Sequence, residues 1–250
     1  MNRFENQVVV ISGGADGLGY GIAERVASEG GSVVLFDINE EVLQKAVEVL
    51  HGKGYNVEGF KVDVSSENDV KKSIEAVELK YGKIDAMVNS AGIVGPTSTS
   101  IVDYGLEDYD NIYRINLRGA FLMTKYSIMV MKKNGYGRIL LISSIAGKEG
   151  NPFMSGYSSM KAGVIGLVKG VGKEYAQSGI TVNGLAPAVI KTSMNENTSP
   201  DQLAYMTSKI PMGRLGTVEE VASIVSFIIS KESSFNTGAI FDISGGRASY

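Results

Sequence analysis

The stretch that most constrains the fold is the apolar, β-branched run Gln-Val-Val-Val-Ile at residues 7–11. A continuous apolar run of this kind is typical of a strand that is buried on both faces of a parallel sheet. It leads into Ser-Gly-Gly-Ala-Asp-Gly-Leu-Gly at residues 12–19, which a helix pattern with Ile22 and Val26 follows. A strand, a glycine turn and a helix in that order form a phosphate site, because glycine lets the main chain approach a pyrophosphate and the helix N-terminus offers free N–H groups. Taken alone, the motif is equally compatible with an ordinary glycine-rich turn.

The same order of strand and helix recurs along the whole chain. Further apolar runs predict strands at residues 31–36, 57–62, 84–88, 139–142, 180–183 and 239–243. Helical patterns alternate with them, at residues 41–50, 67–81, 107–131, 157–168 and 218–230. Connections between parallel strands are right-handed, so the alternation predicts one doubly wound α/β domain over residues 1–250. Its seven parallel strands are expected in the order 3-2-1-4-5-6-7, with helices on both faces.

Small and polar residues follow the predicted strands, at the edge where open α/β sheets bind ligands. Asp37 closes the second strand, where a carboxylate can accept both ribose hydroxyls of an adenosine. It could also cap the helix that starts near Glu40, and the two roles are compatible. Asp63 ends the third strand, and Asn-Ser-Ala-Gly at residues 89–92 ends the fourth.

Tyr157 and Lys161 are four residues apart, so on a helix both side chains lie on one face. An ammonium close to a phenol lowers the pKa of the phenol, and such a tyrosine can exchange a proton with an alcohol or a ketone near neutral pH. The hydroxyl of Ser144 is expected where the fifth strand ends. A half-buried tyrosine beside a solvated lysine is the alternative, because the spacing alone is weak evidence. Tyr205 and Lys209 have the same spacing without a serine at a comparable place.

Asn116 lies inside the long predicted helix, between the apolar residues Ile115 and Leu117. A buried asparagine needs hydrogen-bond partners or a bound water. Packing between elements and the holding of a functional water are both compatible with this position.

Composition excludes several classes of function. With 24 Lys and Arg against 27 Asp and Glu and no basic run, the chain has no electrostatic footprint for nucleic acid. It has no cysteine and a single histidine, His51, which is expected at a surface helix end. Disulfides and thiolate metal sites are therefore excluded, and no metal site is predicted. No apolar stretch reaches the length of about 18–20 residues that spans a membrane, and no signal peptide is visible. These features favour a cytoplasmic location.

Taken together, these motifs resemble the short-chain dehydrogenase/reductase family over nearly the whole chain. The matching pieces are residues 12–19, Asp63 and Val64, residues 89–92, Asn116, Ser144, Tyr157 with Lys161, and residues 187–192. They stand in the family's order and at its spacings. Two positions depart from the family's usual pattern, Ser90 in place of asparagine and Ala188 in place of glycine. Both changes are small and are expected to be tolerated.

The resemblance implies a Rossmann-type fold and an enzyme that transfers a hydride between a nicotinamide and a secondary alcohol or ketone. The implied catalytic tetrad is Asn116, Ser144, Tyr157 and Lys161. Tyr157 would be the acid/base, tuned by Lys161, and Ser144 would fix the carbonyl oxygen. Asn116 would hold a water that links Lys161 to solvent. Besides Tyr157 and Lys161, the implied cofactor residues are Gly13, Asp16, Gly17, Leu18, Gly19, Asp37, Ile38, Asp63, Val64, Asn89, Ala91, Gly92, Pro187, Ile190 and Thr192.

NAD is predicted in preference to NADP. Asp37 would repel a 2′-phosphate, and residues 14–16 of the glycine loop carry no arginine or lysine that would pair with one. The small-residue helix over residues 156–175 and the apolar C-terminus suggest a homotetramer, as in most of the family. A nucleotide-binding sensor that has lost the chemistry is the alternative outside the enzymes, but such a protein would be expected to lack at least one member of the tetrad.

The substrate is predicted to be a small hydroxylated molecule, a sugar, polyol or sugar acid, that is oxidised with NAD. The polar residues expected to border its pocket are Lys148, Glu149 and Asn151, with Ser193 and Asn195 in a lid over residues 190–212; a solvated loop is the alternative. Arg247 could reach a neighbouring subunit's site or face water. The alternative enzyme is a 3-oxoacyl-acyl-carrier-protein reductase. Those enzymes commonly have an arginine where this chain has Ser178.

Overall fold

A computed structural model describes residues 2–192 and 200–248, with the side chains at positions 200 and 202 left aside. Its seven strands form one parallel sheet in the order β3-β2-β1-β4-β5-β6-β7, so the predicted fold and strand order are confirmed. The strands are β1 Val8–Ser12, β2 Ser32–Asp37, β3 Val57–Lys61, β4 Ala86–Asn89, β5 Gly137–Ile142, β6 Ile180–Pro187 and β7 Ile240–Ile243. The sixth strand is four residues longer than predicted, because it pairs with β5 and β7 as far as Pro187.

Helices cover both faces of this sheet. They are α1 Gly17–Ser28, α2 Glu40–Gly52, α3 Glu67–Tyr81, α4 Leu106–Ile112, α5 Gly119–Asn134, α6 Ile145–Glu149, α7 Ser155–Glu174, α8 Pro200–Ser208 and α9 Val218–Ile228. A short 3₁₀ turn, Ile101–Asp103, precedes α4. No helix in residues 2–192 and 200–248 is both long and apolar enough to cross a membrane.

Two apolar cores lie on opposite faces of the sheet, because successive side chains of a strand point to opposite sides. In β1, Val9 and Ile11 pack into the core under α1, α2 and α9, whereas Val8 and Val10 pack into the core under α3, α5 and α7. Every residue of β1 is buried, as the β-branched run predicted. The rigid sheet fixes the carboxyl ends of its strands at one edge.

The prediction of one long helix over residues 107–131 is wrong in one respect, because the helix is interrupted. The chain forms α4, then a π-helical turn over Tyr113–Arg118, then α5. Asn116 lies in this turn, where its Oδ1 accepts the Ile93 N–H at 2.8 Å and its Nδ2 donates to the Ile93 carbonyl at 2.8 Å. These tertiary hydrogen bonds hold Asn116 towards the end of β4, and single π-helical turns within helices are frequent at functional sites.

Candidate active site

The glycine loop between β1 and α1 folds against the chain that leaves β4. Gly13 has a φ of +62°, and a Cβ there would lie 2.8 Å from the Cα of Ala91. A Cβ on Gly19 would overlap the Gly13 carbonyl. Asp16 caps α1, where its Oδ1 accepts the Gly17 N–H at 2.7 Å. The loop has no side chains at these glycines, and the N-terminus of the helix after it is capped. Both features fit a dinucleotide pyrophosphate that is bound by main-chain N–H groups.

The Asp37 carboxylate lies against the same loop. Its Oδ2 accepts the Ala15 N–H at 3.1 Å and its Oδ1 accepts the Asn39 N–H at 3.0 Å. The helix α2 is capped by Asn39, whose side chain accepts the Val42 N–H, so the interpretation of Asp37 as the helix cap is wrong. Each oxygen of Asp37 keeps a free lone pair, which fits a ribose hydroxyl donor.

The segment that leaves β6 comes back to the glycine loop. Its Thr192 lies 3.9 Å from the position that a Cβ on Gly17 would take. On the other side of the loop, the buried Ser12 hydroxyl donates to Asn89 Oδ1 at 2.8 Å and joins the ends of β1 and β4. The remaining predicted cofactor residues are Leu18 in the first turn of α1, Ile38 after β2, Asp63 and Val64 after β3, Gly92 after β4, Pro187 at the end of β6 and Ile190, which forms a bridge with Gly216.

Ser144, Tyr157 and Lys161 meet where β5 ends. Ser144 caps α6, with its Oγ accepting the Ala146 N–H at 3.1 Å, and its side chain is hydrogen-bonded to Tyr157. Tyr157 and Lys161 project from α7, and Lys161 Nζ lies 5.6 Å from the centre of the Tyr157 ring. Lys161 Nζ also donates to the Ile142 carbonyl at 2.9 Å. A phenol, a hydroxyl and an amine therefore face one position at the end of a strand.

Asn116 joins this group from the π-helical turn. A Cβ on Gly92 would lie 3.2 Å from Asn116 Oδ1 and 3.5 Å from Lys161 Nζ, so Gly92 is the spacer between the two side chains. After its two bonds with Ile93, the Asn116 amide keeps one N–H and one lone pair. Its role in holding a water stays a prediction.

The prediction that Lys161 lowers the pKa of Tyr157 is wrong. Burial raises the pKa of Tyr157 above its usual value of 10, and the hydrogen bond with Ser144 only partly offsets this effect. The reason is that the ammonium is turned to the Ile142 carbonyl. Burial also lowers the pKa of Lys161 to about 8. The amine is thus close to half-protonated slightly above neutral pH, which suits a group that relays protons.

Ser143 is a site residue that the sequence analysis missed. It is buried at the end of β5, and its Oγ donates to the Lys161 carbonyl at 2.8 Å. A Cβ on Gly147 would lie 2.6 Å from the Lys161 carbonyl carbon, so α6 and α7 pack with their main chains almost in contact. The doubled serine after an apolar strand was the available signal.

The predicted substrate residues are engaged with the C-terminal segment. Lys148 forms an ion pair with Asp242 of β7 at 2.9 Å. Arg247 forms an ion pair with Glu149 at 2.8 Å and donates to Asn151 Oδ1 at 3.3 Å, so it contacts its own chain and is only 10% exposed. The expectation that it faces water is wrong. Ser193 and Asn195 lie outside the described residues.

Tyr205 and Lys209 do not join the site. Tyr205 lies on α8 with 55% of its surface exposed, and Lys209 Nζ stacks 4.2 Å from the centre of its ring. The same spacing thus gives a surface cation–π pair here, because no strand end faces this tyrosine with a hydroxyl.

Comparisons with known proteins agree with this geometry. A family model described as enoyl-(acyl carrier protein) reductase matches residues 13–248. The chain is 40% identical to a 2-dehydro-3-deoxy-L-rhamnonate dehydrogenase (NAD(+)) of Sphingomonas sp. strain SKA58, over 99% of this chain and 98% of that protein. It is 38% identical to a 3-oxoacyl-acyl-carrier-protein reductase of Thermotoga maritima, over 98% of each chain.

Solved structures of a dehydrogenase and a reductase are also similar to this chain. The crystal structure of an NAD⁺-bound xylitol dehydrogenase superposes with a TM-score of 0.92 at 31% identity, over 98% of this chain and 100% of that one. Levodione reductase superposes with a TM-score of 0.94 at 30% identity, over 98% of each chain. The fold and these matches define an oxidoreductase that acts on alcohol and ketone groups with a nicotinamide cofactor. The chain belongs to the short-chain dehydrogenase/reductase family, as its motifs predicted.

Proposed function

We propose that this protein oxidises a small hydroxylated compound, a sugar, polyol or sugar acid, with NAD. The observation that carries the choice of cofactor is the Asp37 carboxylate, which is fixed against the glycine loop by the Ala15 N–H. A 2′-phosphate at that ribose would meet this negative charge, and like charges at such a position cost several kcal/mol. The relatives named for NAD support the same choice.

In the proposed reaction, Tyr157 takes the proton from the substrate hydroxyl while Ser144 holds the same oxygen through a hydrogen bond. Lys161 receives or returns the proton, directly or through a water held near Asn116. NAD, when bound, accepts the hydride and returns it in the reverse reaction. The glycine loop, Asp37 and residues 187–192 would hold the cofactor.

The substrate class rests on two supports. Polar residues Lys148, Glu149 and Asn151 follow Ser144 closely in the chain, and their side chains pair with Asp242 and Arg247. The Sphingomonas relative is named for a sugar acid, and the xylitol dehydrogenase for a polyol. We propose that residues 190–212 form a lid over this pocket within a single domain of residues 1–250. The Thermotoga relative supports the alternative, reduction of 3-oxoacyl thioesters.

We also propose a cytoplasmic homotetramer. Exposed apolar side chains on α5, Phe121 at 48% and Met129 at 55%, would be covered by a second copy. Gly166 and Gly170 of α7 have open space where a Cβ would stand, which fits a closely packed neighbour. Light scattering that gives a monomer would contradict the assembly.

The test is a panel of sugars, polyols and sugar acids run against acetoacetyl thioesters, with NAD(H) and NADP(H) in both directions. We expect NADH to form with at least one hydroxylated compound. Efficient thioester reduction without any such activity would establish the alternative enzyme, and cofactor binding without turnover of any compound would indicate a sensor.

A further inference from the structure

The guanidinium of Arg247 is held at a fixed position by α6 and the loop that follows it. Its Nε and Nη2 donate to Glu149 Oε2 at 3.0 and 2.8 Å, and Nη2 also donates to Asn151 Oδ1 at 3.3 Å. The side chain is 10% exposed. Three hydrogen bonds on one edge leave this cation little freedom of rotation.

Both groups that hold the guanidinium are anchored next to tetrad hydroxyls. Glu149 ends α6, the helix that Ser144 caps, so the two residues are about 7.5 Å apart along the helix axis. The main-chain N–H of Asn151 donates at 3.0 Å to the hydroxyl of Ser158, the residue directly after Tyr157. The guanidinium is therefore linked through one residue each to α6, which Ser144 caps, and to α7, which carries Tyr157.

One nitrogen of the guanidinium, Nη1, remains available. An arginine has five N–H donors, and the bonds to Glu149 and Asn151 use only Nε and Nη2. Within residues 2–192 and 200–248, no acceptor binds Nη1 of Arg247. A carboxylate is a strong partner for a guanidinium N–H, and a two-point contact would need Nη2 to exchange its bond with Asn151 for one with the ligand.

Glu149 explains how such a cation is tolerated when no substrate is present. A largely buried charge without a partner is strongly destabilising, and Glu149 supplies the partner. The same carboxylate would repel an incoming anion. The neighbouring Lys148 is itself paired with Asp242 and supplies no uncompensated positive charge of its own.

We propose that Arg247 is the receptor for a substrate carboxylate, which makes hydroxy acids the preferred class over neutral polyols, and that Glu149 both positions the guanidinium and competes for it. This inference rests on the proposed function, because it names the substrate class within it. A purely structural ion pair is the competing explanation. It would change stability but would treat acidic and neutral ligands alike.

Calorimetry on the NADH-saturated protein tests the proposal without turnover, because oxidation of a hydroxy acid needs NAD. Four- to six-carbon aldonic acids and their primary amides are the probes, since acid and amide differ in charge and little in shape. We expect the wild type to bind at least one acid tenfold or more tightly than its amide. Arg247→Gln should bring that ratio close to one, and Arg247→Lys should give an intermediate ratio because the charge remains without the fork.

Two further variants sharpen the result. Glu149→Gln keeps a hydrogen-bond acceptor but removes the competing charge, so the preference for the acid should increase severalfold. Arg25→Gln breaks another arginine–glutamate pair, with Glu29 directly after α1, and should leave the ratio unchanged. A melting temperature for each variant shows that it is folded.

The inference is overturned if the wild type binds no acid more tightly than its amide, or if Arg247→Gln keeps the wild-type ratio. A weaker preference for the acid over its amide in Glu149→Gln would show that Glu149 does not compete with the ligand for Arg247. These outcomes are separate from NADH formation. A protein that oxidises neutral polyols with no preference for acids refutes the inference alone, whereas one that oxidises nothing refutes the proposed function.

Discussion

The two sides of the site are held in place by different means. On the cofactor side, main-chain groups fix the geometry: Asp37 accepts two main-chain N–H groups, and only glycine fits at position 13, because Ala91 comes so close. On the side that leads to the C-terminus, side chains fix one another through the Lys148–Asp242 and Arg247–Glu149 ion pairs. A site set by main-chain topology changes little between relatives. A site set by side-chain pairs can change its ligand through one or two substitutions.

The largest expected effect is at Tyr157, between the two sides. Tyr157→Phe removes the proton donor and acceptor, so kcat should fall by about 10² to 10⁴, the usual contribution of general acid–base catalysis. The dissociation constant for NAD should not change, because the phenol is not needed to hold the glycine-loop side. Tyr81→Phe, which removes a phenol hydroxyl bonded to Glu58 at the end of α3, is the control and should retain full activity. Turnover of Tyr157→Phe near the wild-type rate would refute the assignment.

The cofactor side can be tested through its charge. Asp37→Asn keeps an acceptor for the Ala15 N–H but removes the negative charge, so the ratio of kcat/KM for NAD to that for NADP should fall by about 10- to 100-fold, equivalent to about 1.4–2.7 kcal/mol. Glu40→Gln removes a nearby exposed charge, which is paired with Lys61, and should leave the ratio unchanged. A wild type that prefers NADP would contradict the prediction outright.

The burial of Lys161 predicts a pH dependence of stability. Its pKa is lowered from 10.5 to about 8, so between these values the unfolded chain binds a proton that the folded protein does not. The contribution to the free energy of unfolding therefore rises with pH in this window, by about 1.5 kcal/mol from pH 8 to 9.5. Urea titrations at pH 7, 8 and 9.5 should show this rise in the wild type relative to Lys161→Met. Parallel curves for the two proteins would mean that the amine is not desolvated.

The smallest expected effect is at Ser143. Ser143→Ala removes the buried hydroxyl that bonds the Lys161 carbonyl, which should lower the free energy of unfolding by about 1–2 kcal/mol. Ser127→Ala is the matched control, because the Ser127 hydroxyl is buried and has no hydrogen-bond partner in the described part of the chain. It should cost less than Ser143→Ala in chemical denaturation. Equal losses would show that the bond to Lys161 adds nothing beyond filling space.

The sequence was sufficient for the order of the strands, for the glycine loop and for the proximity of Ser144, Tyr157 and Lys161 at the end of β5, because each depends on local patterns repeated at strand ends. It was not sufficient for the π-helical turn at Asn116, which depends on two hydrogen bonds to Ile93, a residue far away in the chain. A periodic apolar pattern continues through residues 107–131 whether or not one turn is widened. The local pattern therefore predicted a continuous helix.

The prediction for the pKa of Tyr157 failed for a related reason. Helical spacing places two side chains on one face, but it does not say where a long lysine side chain points. Here Lys161 Nζ binds the Ile142 carbonyl, and burial then dominates the pKa of the phenol. The ion pair of Arg247 with Glu149 could not be predicted from the sequence either, since no local pattern connects the C-terminal segment with the end of α6.

The position of β1 between β2 and β4 has a consequence for how activity is acquired. The hydrogen bond from Ser12 to Asn89 joins residues that three helices and two strands separate along the chain, and the tetrad adds residues as late as Lys161. Non-local pairings of this kind close slowly, whereas helices form early and locally. During refolding, far-ultraviolet circular dichroism should therefore recover before turnover does. The rate at which NADH formation returns would report when the last strands of the sheet pair. No isolated fragment from one half of the chain should have oxidation activity.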